Sequence, residues 1–291
     1  MITSSDTFKV QIKDFLPEHT FDCGQCFRWE EQADGSFVGV ANGQAVRISM
    51  VGEMVEIEGI TEADYESFWK RYLDADRDYS KIKESVSIND TMIKSVEFGK
   101  GIRILRQDFF ETLISFIISQ RSSIPKIKSC VDKLCTLYGK EIHFRGKVFY
   151  AFPTAEKIAS LSEEEIRSLG VGYRAPYILK AAQAVASEEI KPDELEAMDT
   201  ASAREKLLSL YGVGDKVCDC VLLFSLGKYD LFPADVWIKR VMAEEFKSTD
   251  AKLAGETKFG QYSGFAQQYL FYWRKYNRGF DKMHTPHKEM D

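Results

Sequence analysis

Lys216 and Asp235 have the residue types and surroundings that best suit covalent chemistry. Lys216 falls in the first turn of a predicted helix, where the helix dipole and partial desolvation both disfavour a charged amine. A neutral amine is a nucleophile. Asp235 follows Pro233 and can cap a helix that begins near Val236, or face Lys216 across a cleft, and the two roles are compatible. The alternative for Lys216 is a surface ion pair with Asp219, one turn on.

A glycine-rich turn precedes Lys216. Residues 203–210 and 217–226 are predicted helices, and Gly212, Val213 and Gly214 lie between them. Two glycines one residue apart allow a tight turn that bares backbone N–H groups at the start of the second helix, and such a nest attracts phosphate. A hairpin of this type grips a nucleic-acid backbone without reading its sequence. The alternative is an ordinary corner between two helices.

The elements that must position these residues change along the chain. Residues 25–60 are predicted to be strands: segments 37–40, 45–50 and 55–58 alternate or run apolar between turn dipeptides, which predicts an antiparallel meander. From about residue 61 the spacing is mostly helical. Thr61 and Ser162, each followed by acids, are predicted helix caps. Gly170–Gly172 echoes the hairpin and is read as a second tight turn between helices.

Composition sets wider bounds. The 291 residues include 39 Lys and Arg against 45 Asp and Glu, a net charge of -6, and 44% are hydrophobic. That length suggests about two domains and a sizeable core, which argues against global disorder. No apolar stretch approaches the length of a membrane helix, and the N-terminus lacks the basic and apolar regions of a secretory signal. Six cysteines in three close pairs predict reduced thiols and a cytoplasmic location.

The motifs around Lys216 resemble a known family. The run from Gly212 to Lys216, the following helix and then Asp235 resemble the helix-hairpin-helix DNA glycosylases with a Gly/Pro-rich loop and an invariant Asp. A lysine at position 216 is similar to the bifunctional glycosylase/lyases of that family. Tyr211 departs from the pattern, since the family usually has Pro there, but both glycines are kept.

Further segments narrow the resemblance to the 8-oxoguanine DNA glycosylase branch, over roughly residues 10–280. The segment from Cys23 to Trp29 resembles its Gly-Gln-x-Phe-Arg-Trp signature. The oxidised base carries a proton at N7 that guanine lacks, so a backbone carbonyl, by resemblance that of Gly24, can accept from the lesion alone. The resemblance assigns Gln267, Phe271 and Cys220 to the same pocket. The alternatives are an ordinary turn at Gly24 and a position in the hydrophobic core for Phe271. Cys23 and Cys26 could also suggest a zinc site, but no second pair of cysteines lies nearby in the sequence to complete it.

Other segments look like those that fill the gap left by a flipped base. By resemblance, Tyr173 would wedge beside the orphaned base and Arg174 would donate to cytosine. Arg121 and Lys126 stand where animal members of the family have Asn and Arg, and Lys cannot imitate a planar guanidinium fork. Strict preference for cytosine is therefore not implied. Trp237 replaces a family His that contacts the DNA backbone.

The charge distribution also favours a nucleic-acid partner despite the acidic total. Residues 119–147 hold seven Lys or Arg against two acids, a local excess of +5. A basic face on an acidic protein can bind phosphates, because the position of the charges matters more than their sum. The alternative is a solvated helix face.

The resemblance implies an α+β fold: an N-terminal antiparallel β-sheet domain followed by an all-helical helix-hairpin-helix glycosylase region. We expect residues 1–100 to form the sheet domain with the lesion-pocket loop. Residues 101–200 would carry the opposite-base contacts, and residues 201–291 the hairpin, the catalytic residues and the pocket helix.

The predicted function is a bifunctional DNA glycosylase/AP lyase that excises 8-oxoguanine from duplex DNA. Two alternatives stay open: a monofunctional glycosylase for alkylated or other damaged bases, and a non-catalytic DNA-binding protein. No cofactor is expected. No Cys follows Cys220, so the four-Cys iron–sulfur cluster of another branch cannot form, while the hairpin leaves room for a backbone-bound cation. The expected partner is double-stranded DNA that contains oxidised guanine, and no association with a membrane is expected. We expect the protein to be a monomer and, in a bacterium, to be associated with the nucleoid.

Overall fold

An antiparallel sheet of five strands forms the N-terminal part of the protein. The computed structural model describes residues 6–277. The strands lie in the order β1-β5-β4-β3-β2, with the bounds β1 Thr7–Val10, β2 Trp29–Glu31, β3 Phe37–Ala41, β4 Gln44–Val51 and β5 Met54–Glu58. Ile48 lies between Phe37 and Ile57 in the register, so apolar side chains of three strands share one face. The three predicted strands are confirmed, and β1 and β2 were not individually predicted.

Helices form most of the remaining chain. Their bounds are α1 Pro17–Asp22, α2 Glu62–Asp64, α3 Lys70–Tyr72, α4 Tyr79–Val86, α5 Asp90–Phe98, α6 Phe109–Ser119, α7 Ile124–Tyr138, α8 Ala155–Ala159, α9 Glu163–Ile166, α10 Ala175–Ala186, α11 Pro192–Ala197, α12 Thr200–Leu208, α13 Asp215–Leu226, α14 Val236–Phe246, α15 Ala251–Phe259 and α16 Ser263–Tyr276. Wider or tighter helical turns cover Tyr65–Trp69, Arg167–Val171, Gly172–Arg174 and Gly260–Tyr262. The α+β class is confirmed.

Local signals for helix starts hold in the structure. Thr61 forms a capping box with Asp64, and Ser162 forms one with Glu165. The Gly170–Gly172 segment is a turn between α9 and α10, with both glycines at positive φ. One feature departs from an all-helical second part: strands β6 (Glu141–Phe144) and β7 (Lys147–Tyr150) form a hairpin. Its apolar residues pack back on the first sheet, a long-range contact that local spacing does not reveal.

Two large hydrophobic cores organise the chain, besides the small cluster between β6–β7 and the first sheet. The smaller core lies between the sheet and residues 60–73, and it includes a stack of Phe21 on Trp29, with ring centroids 3.9 Å apart. Gly39 of β3 makes this possible, because a Cβ there would lie 2.4 Å from the Trp29 ring. The larger core is helical and includes most of α6 and α13. The division at residues 100 and 200 stays a prediction.

The two ends of the described chain meet beside the loop between α1 and β2. Leu16 N–H and Thr20 Oγ1 both donate to the carbonyl of Gly101, at 2.9 Å. Helix α16 packs on α5 and reaches the loop from the other side, where Gln268 Nε2 donates to the carbonyl of Cys23 at 2.6 Å. This loop is therefore held between segments far away in the sequence.

Candidate active site

The glycine turn between α12 and α13 has the geometry of a helix-hairpin-helix motif. Gly212 adopts a φ of +85°, and a Cβ there would lie 2.1 Å from Tyr177, so the turn requires glycine. Gly214 is the extended N-cap of α13, and an added Cβ would meet open space. Gln120 Nε2 donates to the carbonyl of Gly212 at 3.0 Å and ties the turn to the end of α6. Tyr211 is 63% exposed, with its ring edge against Tyr177.

Lys216 lies in the first turn of α13 and points towards α6. Its Nζ is 4.6 Å from the ring centroid of Phe116 and 3.5 Å from Ser119 Oγ. Asp219, the alternative partner, is 1% exposed and is bound instead by Arg204 and Lys252. Within residues 6–277 no carboxylate lies within 4.0 Å of Lys216 Nζ, so a surface ion pair does not explain this lysine.

Asp235 is the N-cap of α14, as predicted. Its Oδ1 accepts a hydrogen bond from the N–H of Ile238 at 2.8 Å. Burial raises the pKa of Asp235 above its ordinary value, while the Ile238 N–H and the positive charge of Lys216 oppose the rise. The positive charge of Lys216 and the negative charge of Asp235 therefore attract each other.

The four residues expected in the lesion pocket lie on three segments. Gly24 has a φ of +83°, and a Cβ there would lie 2.8 Å from the ring of Phe271, so these two residues are in contact. Gln267 lies one turn before Phe271 in α16, and its Oε1 is buried with no hydrogen-bond partner among the described residues. Cys220 is buried one turn after Lys216, and burial raises the pKa of its thiol to about 11, with the Lys216 charge opposing. Their binding roles stay predictions.

Two glutamines that the sequence analysis gave no role hold the Gly24 loop. Gln25 is fully buried, and its amide donates to the carbonyls of Thr20 at 2.9 Å and Arg103 at 2.8 Å. Gln268 donates to the carbonyl of Cys23. Gln268 lies next to Gln267 on a predicted helix, but this position is only a weak signal of its role, because burial decides whether such an amide binds the protein or water.

The two segments expected beside the orphaned base also come together. Arg174 donates from Nε to the carbonyl of Gln120 at 2.9 Å, and its guanidinium carbon lies 4.4 Å from the centroid of Tyr173. Tyr173 is 48% exposed. Lys126 lies against the other side of the turn, since a Cβ on Gly170 would be 2.9 Å from its Nζ. Gln120 thus connects Arg174 to the glycine turn at Gly212, a role that the sequence did not predict.

Two other predicted contacts lie at the edges of this surface. Arg121 is exposed and adopts a left-handed backbone with φ 50°, just after α6. Trp237 is partly buried in the first turn of α14, and the guanidinium of Arg240 lies 5.3 Å from its ring centroid. In the basic run, Lys128 donates to the carbonyl of Trp29 at 3.0 Å, so part of that charge stabilises the fold.

Metal-binding clusters and membrane-spanning helices are both absent from the described part of the chain. Within residues 6–277, no three His, Cys, Asp or Glu side chains are grouped so that they could hold a metal ion. No helix of that part has the length and hydropathy needed to cross a bilayer.

A sheet domain, a helical region and a glycine hairpin with Lys216 near a capping Asp235 together define a class of base excision DNA repair proteins. Residues 114–259 match the family model described as HhH-GPD superfamily base excision DNA repair protein. Residues 7–113 match that of the 8-oxoguanine DNA glycosylase N-terminal domain. The chain belongs to the HhH-GPD superfamily and, within it, to the 8-oxoguanine DNA glycosylase branch.

Similar proteins agree with this assignment. A probable N-glycosylase/DNA lyase of Methanothermobacter thermautotrophicus is 32% identical over 61% of this chain, and the match spans 64% of that relative, just under two thirds. The N-glycosylase/DNA lyase of Saccharomyces cerevisiae is 29% identical over 79% of this chain and 68% of its own length. The apo crystal structure of Clostridium acetobutylicum 8-oxoguanine glycosylase/lyase superposes with a TM-score of 0.89 at 39% identity, covering 94% of this chain and 100% of that one.

Proposed function

We propose that this protein excises 8-oxoguanine from duplex DNA and then cleaves the strand at the resulting site by Schiff-base chemistry. The observation that carries the proposal is the position of Lys216, at the start of α13, close enough to Asp235 for their charges to interact. The wall formed by Gly24 and Phe271 supplies a matching site for the base. The relatives named as glycosylase/lyases support the same activity.

We assign recognition of the base to Gly24, Gln267, Phe271 and Cys220. The lesion is extruded from the duplex, as base-modifying enzymes require. The carbonyl of Gly24 accepts the N7 proton of 8-oxoguanine, whereas guanine presents a lone pair there and is repelled. The buried Oε1 of Gln267 is an acceptor for a donor on the base edge. Phe271, held against Gly24, stacks on the plane of the base.

Lys216 is the nucleophile. Its neutral amine forms a bond to the sugar C1′ as the glycosidic bond breaks, and the electron pair leaves with the base, which is then protonated by water. Asp235, ionised, stabilises the positive charge that develops on the sugar and helps to take the proton from the attacking amine. Burial of the carboxylate strengthens this interaction, because opposite charges attract more strongly away from water.

The lyase step follows from the covalent bond. Ring opening gives a Schiff base between Lys216 Nζ and C1′, which makes the protons at C2′ acidic. Loss of one C2′ proton to water then breaks the bond from C3′ to the 3′ phosphate, and the strand is nicked. This sequence needs no redox group or metal, and we propose that the protein acts without a cofactor.

On the other strand, we propose that Tyr173 wedges beside the unpaired base and that Arg174 donates hydrogen bonds to that base. Arg174 already donates to the carbonyl of Gln120, so it would contact a base with its remaining N–H groups or exchange partners. Arg121, Lys126 and Trp237 would contact DNA at the edge of this surface, and the turn from Gly212 to Gly214 would hold a phosphate. We also propose that the protein is a monomer located in the cytoplasm and, in a bacterium, associated with the nucleoid.

The test is borohydride trapping on duplexes with one 8-oxoguanine opposite each of the four bases. Wild type should form a covalent adduct, and Lys216→Gln should form none, because an amide cannot give a reducible Schiff base. Lys206→Gln, in the adjacent helix α12, is the matched control and should trap like wild type. Base release without an adduct would favour a monofunctional glycosylase. If neither an adduct nor a free base is formed, the protein is a DNA-binding protein without catalytic activity.

A further inference from the structure

Three tyrosines form a continuous row that ends at the glycine turn. Tyr173 and Tyr177 lie four residues apart on successive helical turns, so their side chains share one face. Their ring centroids are 6.0 Å apart, at an interplanar angle of 78°. The ring of Tyr177 also meets that of Tyr211 at 84°, with the centroids 5.0 Å apart. Both contacts have the edge-to-face geometry that aromatic pairs favour.

The middle ring of this row packs on the backbone of the turn. A Cβ on Gly212 would lie 2.1 Å from Cγ of Tyr177 and 2.5 Å from its Cδ1, so the bare glycine is what lets the ring approach. Tyr177 is half-buried, whereas Tyr173 and Tyr211 are 48% and 63% exposed. A half-buried ring between two exposed rings suits a support for its neighbours.

A second link, made of hydrogen bonds, joins the same two segments. The backbone carbonyl of Gln120 accepts from Arg174 Nε at 2.9 Å and from the hydroxyl of Tyr173 at 3.5 Å. The side-chain amide of Gln120 donates to the carbonyl of Gly212 at 3.0 Å. Tyr173 is therefore tied to the turn on two sides, through Tyr177 and through Gln120.

The position of the turn matters because it leads directly into the helix that carries the nucleophile. Lys216 is the second residue of α13, which begins immediately after Gly214. A side chain that displaces a stacked base must resist being displaced itself, and a group fixed in advance loses less entropy when it binds. A ring anchored on this turn is fixed relative to the helix that receives the sugar.

We infer that Tyr177 is a positioning residue that anchors the wedge Tyr173 on the glycine turn and thereby favours extrusion of the damaged nucleotide towards Lys216. The inference rests on the proposed function, which places Tyr173 beside the unpaired base. Tyr177 acts through Tyr173 and not on the reacting atoms. Tyr211 supports the opposite side of the Tyr177 ring.

The experiment compares single-turnover release of 8-oxoguanine from a duplex by wild type, Tyr177→Leu and Tyr177→Phe. An edge-to-face pair changes an equilibrium by up to about tenfold, and leucine removes two such pairs, so we expect Tyr177→Leu to slow release about tenfold. Phenylalanine retains both ring contacts and should keep most of the rate. Tyr138→Leu is the matched control, since Tyr138 is also a half-buried tyrosine but ends α7, and it should behave like wild type.

Strand cleavage at a preformed abasic site separates positioning from a general loss of stability. No base has to be unstacked there, so Tyr177→Leu should cleave this substrate at nearly the wild-type rate, whereas a partly unfolded protein would lose both activities equally. Tyr211→Leu changes an exposed residue and removes one ring pair. It should slow base release about threefold, which tests the row without disturbing buried packing.

A double-mutant cycle tests whether Tyr177 acts through the wedge. If it does, the variant with both Tyr173→Leu and Tyr177→Leu should release the base within about twofold of Tyr173→Leu alone, because the support has nothing left to hold. Multiplied losses in the double variant would overturn the inference. Equal release by Tyr177→Leu and wild type, or equal losses on the two substrates, would overturn it as well.

The extrusion step can also be followed without chemistry. A 2-aminopurine placed next to the lesion fluoresces more strongly when it is unstacked, and Tyr177→Leu should lower the amplitude of this signal while Tyr138→Leu should not. Absence of base release by wild type on every duplex would refute the proposed function. The fluorescence comparison would still support the anchoring role if the amplitudes differ and overturn it if they are equal, so the two failures are distinguishable.

Discussion

Replacement of Gly24 by alanine should damage the lesion pocket more than the fold. Gly24 has a φ of +83°, in the left-handed region, and its added Cβ would lie 2.8 Å from Phe271 Cε1. Two costs follow from this geometry. One is backbone strain, and the other is a collision with the ring that we assign to stacking on the base.

The magnitudes can be separated. A left-handed alanine costs about 1–2 kcal/mol of stability. Carbon atoms prefer to be about 3.5–4.0 Å apart, so the ring or the loop must move by about 0.7 Å or more. Misplacement of about 1 Å in a catalytic site can cost about a hundredfold in rate, so we expect kcat/KM to fall about 10- to 100-fold.

Gly35 provides a matched control. It has a φ of +77° in the turn between β2 and β3, and nothing lies within 4 Å of an added Cβ. Gly35→Ala should therefore lose a similar amount of stability from strain alone and keep full activity. Urea denaturation measures the stability of both variants, and single-turnover release of 8-oxoguanine measures activity.

Either of two results would refute this role for Gly24. If Gly24→Ala excises the lesion as fast as wild type, the contact between Gly24 and Phe271 does not shape the pocket. If Gly35→Ala loses as much activity as Gly24→Ala, backbone strain or global destabilisation explains the loss, and the collision is irrelevant.

Four further predictions concern the polar groups of Asp235, Gln268 and Asp219. Asp235→Asn should abolish base release without lowering thermal stability at pH 7, since Asn keeps the helix cap and removes a buried charge; a clear loss of Tm would contradict this. Because the pKa of Asp235 is raised, the folded state binds its proton more tightly than the unfolded state, and ionisation of Asp235 costs stability as the pH rises. On acidification, base release should therefore fail at a higher pH than it would with an ordinary aspartate. Gln268→Ala should cost about 1–3 kcal/mol in urea denaturation, because the carbonyl of Cys23 loses its donor, and should reduce discrimination against guanine, whereas the exposed Gln183→Ala should do neither. Asp219→Asn should cost about 3 kcal/mol, because two cations lose their shared carboxylate; a change below about 0.5 kcal/mol would show that the pairs contribute nothing.

The sequence predicted those features whose physical cause is local. The capping boxes at Thr61 and Ser162 and the cap at Asp235 depend on a side chain three residues from its backbone partner. The three central strands depend on alternation and on their turns. The hairpin β6–β7 was not predicted, because it is stabilised by packing on a sheet about 100 residues away in the chain.

The residue types at the site were also available from the sequence, since a lysine in a glycine hairpin and an aspartate at a helix start are recognisable by spacing. Their surroundings were not. Only the tertiary structure decided that Asp219 is bound by cations from α12 and α15, which leaves Lys216 facing an aromatic ring. Likewise, Gly24 and Phe271 stand 247 positions apart in the chain, and no local rule requires them to touch. Burial and long-range packing make these contacts, because they select among partners that short-range spacing leaves equally open.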